Sequence, residues 1–99
     1  MNMQAMLKQA QALQKDMLNA KKKIDETDFV GESSLVKVTM KGTHEVVKVE
    51  INKENGLDAD DLELLEDMIM VSVNEANKKI EKETEAKMGK FTNGMPGLF

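Results

Sequence analysis

The stretch that most constrains this chain is Leu35-Val-Lys-Val-Thr-Met-Lys-Gly-Thr-His-Glu-Val-Val-Lys-Val-Glu-Ile51. Val36, Val38 and Met40 alternate with Lys37, Thr39 and Lys41. Val47, Val49 and Ile51 alternate with Lys48 and Glu50. Period-two alternation of β-branched residues describes half-buried strands with one apolar and one wet face. A two-residue loop at Gly42-Thr43 pairs Val38 with Val47 and Val36 with Val49. Glycine in its first position suits a type II′ turn, which needs positive φ there. An isolated two-stranded ribbon is marginal in water, so the rest of the chain must cover it.

Two long helical segments flank the hairpin. Residues 2–26 contain neither Gly nor Pro and are rich in Gln, Lys, Ala, Met and Leu, all good helix formers. Met3, Met6, Ala10, Leu13, Met17, Ala20 and Ile24 recur at alternating spacings of three and four, a heptad seam of the coiled-coil kind. It packs either on the chain's own sheet or against a second subunit. Its methionines read as packing residues, since Met fills irregular gaps. Residues 28–33 form a short extended segment, so three antiparallel strands in a meander are expected at about 28–33, 35–41 and 44–51. The last helix spans 58–88. Asp58 is its expected N-cap, and Asp60, Asp61 and Glu63 favour the helix dipole in its first turn. Leu62, Leu65, Ile69, Ser72/Val73, Ala76 and Ile80 supply its stripe. Met68–Val73 is apolar nearly all round, which a single hairpin sheet cannot cover. Beyond Asn77 the helix turns polar and is expected to project into solvent until Gly89 ends it. The fold class is α+β in one domain, 1–88, and 89–99 reads as a flexible tail.

Charge is unevenly spread over the 99 residues, whose net charge is −4. Residues 57–77 carry seven acids and no Lys, whereas 1–27 and 78–99 each carry five Lys against three acids. There is no Cys, which excludes disulfides and thiol chemistry. His44 is the only His and cannot by itself build a metal cage or a nucleophile–base pair. No Gly-rich phosphate loop follows a strand. With three aromatics in the chain, a single-strand binding surface built on stacked rings is not expected. No cofactor, metal, small-molecule substrate or membrane span is expected, nor enzymatic activity.

The chain resembles the YbaB/EbfC family of small bacterial nucleoid-associated proteins. The likeness rests on Met3-Gln-Ala-Met-Leu-Lys-Gln-Ala-Gln-Ala-Leu-Gln-Lys-Asp-Met17, Gly31-Glu-Ser, Leu35-Val-Lys-Val38, Gly42 and Val49-Glu-Ile51. It continues through Leu65-Glu-Asp-Met-Ile69, Asn74-Glu-Ala-Asn77, Lys87-Met88 and Gly94-Met-Pro-Gly-Leu-Phe99. It implies an α-β-β-β-α protomer and an intertwined homodimer with tweezer-like helical arms. It also implies a cytoplasmic, nucleoid location and binding of double-stranded DNA with low sequence specificity, with an influence on gene expression. The family's first and last helices are its DNA-contacting parts. The matching cationic positions are Lys8, Lys15, Lys21, Lys22 and Lys23, with Lys78, Lys79, Lys82, Lys87 and Lys90. Met6, Leu13, Met17, Leu65, Met68, Ile69 and Val73 are the expected dimer interface. The chain has no Arg, which removes bidentate reading of guanine and leaves lysine contacts to phosphate. The competing reading is a dimeric adaptor that binds another protein through its acidic block or its Met-rich seam.

Overall fold

The computed structural model describes residues 2–54 and 56–94, apart from the side chains of Lys90 and residues 92–94. Helix α1 (Met3–Glu26) leads into strands β1 (Asp28–Ser33), β2 (Val36–Lys41) and β3 (Val46–Ile51). Helix α2 (Asp61–Gly94) completes the order α-β-β-β-α. The strands form one antiparallel sheet in the order β1-β2-β3, the expected meander.

Helix α1 starts on a side-chain cap, and α2 follows a turn held by aspartate side chains. Asn2 Oδ1 accepts from the Gln4 and Ala5 amides at 3.1 and 3.2 Å, which satisfies two of the orphan donors of the first turn. Ahead of α2, Asp58 Oδ1 accepts from the Asp60 amide at 2.9 Å, and Asp61 Oδ2 accepts from the Asp58 amide at 3.0 Å. These bonds hold the turn ahead of the helix, which begins at Asp61 rather than at the expected residue 58.

Helix α2 lies across β1 and β2. Gly31 makes the close approach possible, since a Cβ there would stand 1.9 Å from the Ser72 carbonyl oxygen. Val36, Val38 and Met40 of β2 are buried with Leu65, Ala76 and Ile80 of α2. Ser72 is fully buried, and its hydroxyl donates to the Val36 carbonyl at 3.4 Å.

Three details depart from the sequence expectations. The hairpin pairs Val38 with Val49 and Val36 with Ile51, and a bulge near Thr39/Met40 leaves Met40 opposite Val46. Valines still face valines, so hydrophobic matching alone did not decide the register. The connection is the three-residue loop Gly42-Thr43-His44. Lys41 C=O accepts from the His44 amide, and the Lys41 amide donates to Glu45 O, each at 2.9 Å. The positive φ falls on His44 (73°), not on Gly42, as a three-residue loop with a left-handed last position requires. Gly42 serves close packing instead: its Cβ would meet Ile24 O at 1.9 Å, and its amide donates to Thr27 O at 3.2 Å.

The second departure is the end of α2, which runs through Gly89 to Gly94. Met88 and Phe91 bury against Ile24, with Met17, Ala20 and Phe29 around them. A mid-helix glycine costs about 1 kcal/mol, less than the roughly 1.5–3 kcal/mol gained by burying a Phe side chain. Third, and for the same reason, this part of α2 packs along the C-terminal half of α1 rather than standing bare in solvent. Of the expected tail, residues 95–99 lie outside the described residues.

Candidate nucleic-acid interface

The structure separates the ten candidate lysines into distinct groups. On α1, Lys8, Lys15, Lys22 and Lys23 are exposed, and among the described residues none of them has an ion-pair partner within 4.0 Å. Lys21 differs: its Nζ donates to Asp25 Oδ1 at 2.6 Å. Lys23 borders an open cleft of about 430 Å³ between the two helices, shared with Asp16, Asn19, Thr27 and Lys87.

The α2 lysines are interleaved with Glu75, Glu81, Glu83 and Glu85. Lys79 Nζ donates to the Val30 carbonyl of β1 at 2.6 Å and stands 3.5 Å from Glu75 Oε1. It therefore fastens α2 to the outer strand of the sheet. Lys87 stands 3.9 Å from Glu83. Lys78 and Lys82 are exposed and, like Lys8, Lys15, Lys22 and Lys23, have no ion-pair partner within 4.0 Å among the described residues; they differ in standing within a turn of Glu75, Glu81 and Glu85. The side chain of Lys90 lies outside the described residues. On the wet face of the sheet, Lys41 bridges to Asp28 and Lys48 to Glu50, while Lys37 is exposed and stands opposite Glu32 and Glu50 in the ladder.

The expected dimer residues also divide. Met6 and Leu13 are exposed on α1, while Met17 packs on the Ile24–Met88–Phe91 cluster. Leu65 is buried in the chain's own core, and Met68, Ile69 and Val73 pack against it. Leu65 is thus covered within the chain, while Met68, Ile69 and Val73 are only partly buried. Other apolar residues remain open: those of β3 were missed by sequence reasoning, whereas Met70 and Val71 lie in the turn the sequence marked as more apolar than one sheet can cover. Val46, Val47 and Val49 of β3 are 44–46 % exposed, and Met70 and Val71 of α2 are 57 and 49 % exposed. Val49 and Val46 sit opposite Val38 and Met40 in the ladder, on the apolar face that α2 covers over β1 and β2 but leaves open over β3. The signal was in the alternation of β3, but which strand the helix leaves bare is a tertiary fact.

His44 is exposed, and its Nδ1 lies 2.8 Å from Asn77 Oδ1. It ties the hairpin turn to α2. Among the described residues no group of three or more His, Asp or Glu could hold a metal ion, and no helix is long and apolar enough to cross a membrane.

The model of the YbaB/EbfC DNA-binding family matches residues 1–95. The chain belongs to this family. A nucleoid-associated protein of Enterococcus faecalis is 46% identical, over 98% of this chain and 94% of that protein. One from Lactococcus lactis subsp. cremoris is 47% identical, over 97% of this chain and 98% of that protein. Among solved structures, the uncharacterized protein HP0035 from Helicobacter pylori superposes with a TM-score of 0.72 over 92% of this chain and 97% of that one. At 18% identity, that likeness supports the fold alone. The arrangement of this YbaB/EbfC member is thus a folded body of sheet and α2, with α1 carrying exposed lysines that lack local carboxylate partners.

Proposed function

We propose that the protein binds double-stranded DNA through backbone contacts with low sequence specificity, acts as a homodimer, and organises the nucleoid and thereby influences gene expression. The observation that carries the DNA reading is the set Lys8, Lys15, Lys22 and Lys23 on α1, exposed and without an ion-pair partner among the described residues, on a chain whose net charge is −4. Lysines held by carboxylates have little left to offer a phosphate. Those on α1 can neutralise phosphates and release counterions. Without Arg, bidentate recognition of guanine is absent, so contacts position the protein rather than read sequence.

The homodimer rests on a different feature. The open apolar face of β3 adjoins a strand edge with unpaired backbone groups, which soluble monomers seldom leave uncovered. A second copy of the chain would cover it and bring two α1 helices into one particle, doubling the phosphates engaged. Fluorescence anisotropy on two unrelated duplexes, each at two salt concentrations, tests the DNA reading. It predicts similar affinities for both duplexes and a steep loss with salt. Salt-independent binding, or none, would favour the adaptor alternative. Light scattering at micromolar concentration tests the dimer, and a folded monomer there would exclude it.

A further inference from the structure

The outer face of α1 holds more than lysines. Gln4, Lys8, Gln11, Lys15, Asn19 and Lys22 recur at spacings of four, three, four, four and three, which places them on one side of a helix of 3.6 residues per turn. All six are exposed. This side is opposite the apolar seam of Met3, Met6, Ala10, Leu13, Met17 and Ile24. No carboxylate interrupts it between Gln4 and Lys22, since the one acid in that span, Asp16, lies about a quarter-turn away at ~100° per residue. Ala5 and Ala12 flank it and leave one side low. Among the described residues, none of the six side chains makes a hydrogen bond or ion pair.

The spacing sets the role of the amides. At about 1.5 Å per residue, successive lysines of the stripe stand roughly 10.5 Å apart. Along a duplex each strand offers a phosphate about every 3.4 Å of axis. A duplex lying along α1 therefore presents phosphates that no lysine reaches. Gln11 stands in the gap between Lys8 and Lys15, Asn19 in the gap between Lys15 and Lys22, and Gln4 one turn before Lys8. Each carries an NH₂ group with two donors, a side chain type that commonly bonds phosphate oxygens.

We propose that Gln4, Gln11 and Asn19 are DNA-contact residues, donating hydrogen bonds to phosphate oxygens between the lysine contacts. The proposal rests on the DNA-binding reading above and adds uncharged contacts that the charge map does not assign. It has a signature that separates the two kinds of contact. A lysine lost from a phosphate flattens the salt dependence, by about 0.9 in the log–log slope for each contact. A neutral donor lost from a phosphate weakens binding with the slope unchanged, because no counterion uptake accompanies it.

The test is anisotropy titration of the full chain and of Gln4→Ala/Gln11→Ala/Asn19→Ala against two unrelated duplexes over a series of salt concentrations. Lys8→Ala/Lys15→Ala/Lys22→Ala is run in parallel. Alanine raises helix propensity at exposed positions, and circular dichroism confirms that both variants fold. The expected result is an affinity loss of about tenfold or more for the amide variant on both duplexes, at an unchanged salt slope. The lysine variant loses affinity and slope together. Undiminished affinity of the amide variant overturns the proposal. So does a loss confined to one duplex, which would mean base-edge reading. If the unsubstituted protein binds neither duplex, the DNA reading itself fails. If it binds and only the amide variant is unaffected, that reading stands and the amide contacts alone are refuted.

Discussion

Helices α1 and α2 carry similar numbers of lysines and use them differently. From Gln4 to Lys23, α1 has five Lys and one acid, Asp16. From Glu75 to Lys87, α2 has four Lys and four Glu, with Lys79 and Lys87 in ion pairs. Lys79 also bonds to the Val30 carbonyl, so its ammonium is spent on holding α2 to the sheet. The two helices differ equally in burial. Leu65, Ala76, Ile80, Met88 and Phe91 of α2 are buried, whereas Ile24 is the one buried residue of α1 among those described. One helix is a structural member whose lysines alternate with glutamates, two of them in ion pairs. The other is attached at its C-terminal end and offers its charge outward. A count of basic residues per helix cannot show this. Where the carboxylates stand, and what the fold has already bonded, decides it.

Substitutions can break this contrast. The largest effect is expected at Phe91, which is 2 % exposed against Ile24 and Met88. Phe91→Ala should destabilise the fold by about 3–5 kcal/mol, measured by urea unfolding. On α1, Leu7→Ala should cost well under about 1 kcal/mol, because Leu7 is 59 % exposed. Next comes the open face of β3. Val47→Lys/Val49→Lys should convert a dimer into a folded monomer in light scattering and weaken DNA binding by losing the second α1. A variant that stays dimeric would place the interface elsewhere. The smallest effect belongs to His44. His44→Ala removes the link to Asn77 and keeps a side chain at φ 73°, for a cost of about 1 kcal/mol and no change in DNA affinity. His44→Gly should be milder, because glycine adopts that conformation without strain. Thermal unfolding of the two variants orders them.

The element order and the meander were legible from local pattern, because each follows from spacing over a few residues. What was not legible depended on residues far apart in the chain. Either hairpin register sets valine against valine, and Gly42 was needed against Ile24, a residue of α1. The continuation of α2 through Gly89 depends on Phe91 finding Ile24, Met17 and Ala20. Leu65 and Val49 read alike as apolar stripe positions. Yet Leu65 is buried and Val49 open, because α2 crosses β1 and β2 and stops short of β3. For the candidate site, the lysines themselves were legible. Their division was not, since the bond from Lys79 to Val30 spans 49 positions.

Lys8, Lys15 and Lys22 of α1, rather than the lysines of α2 that stand among glutamates, are expected to neutralise DNA phosphates. The direct measurement is the slope of log affinity against log salt for Lys8→Ala/Lys15→Ala/Lys22→Ala compared with Lys78→Ala/Lys82→Ala, a pair that leaves the Lys79–Val30 bond in place. The expected result is a slope lowered by about 0.9 for each α1 contact removed and a slope nearly unchanged for the α2 pair. A slope preserved in the α1 variant and lowered in the α2 variant would contradict it.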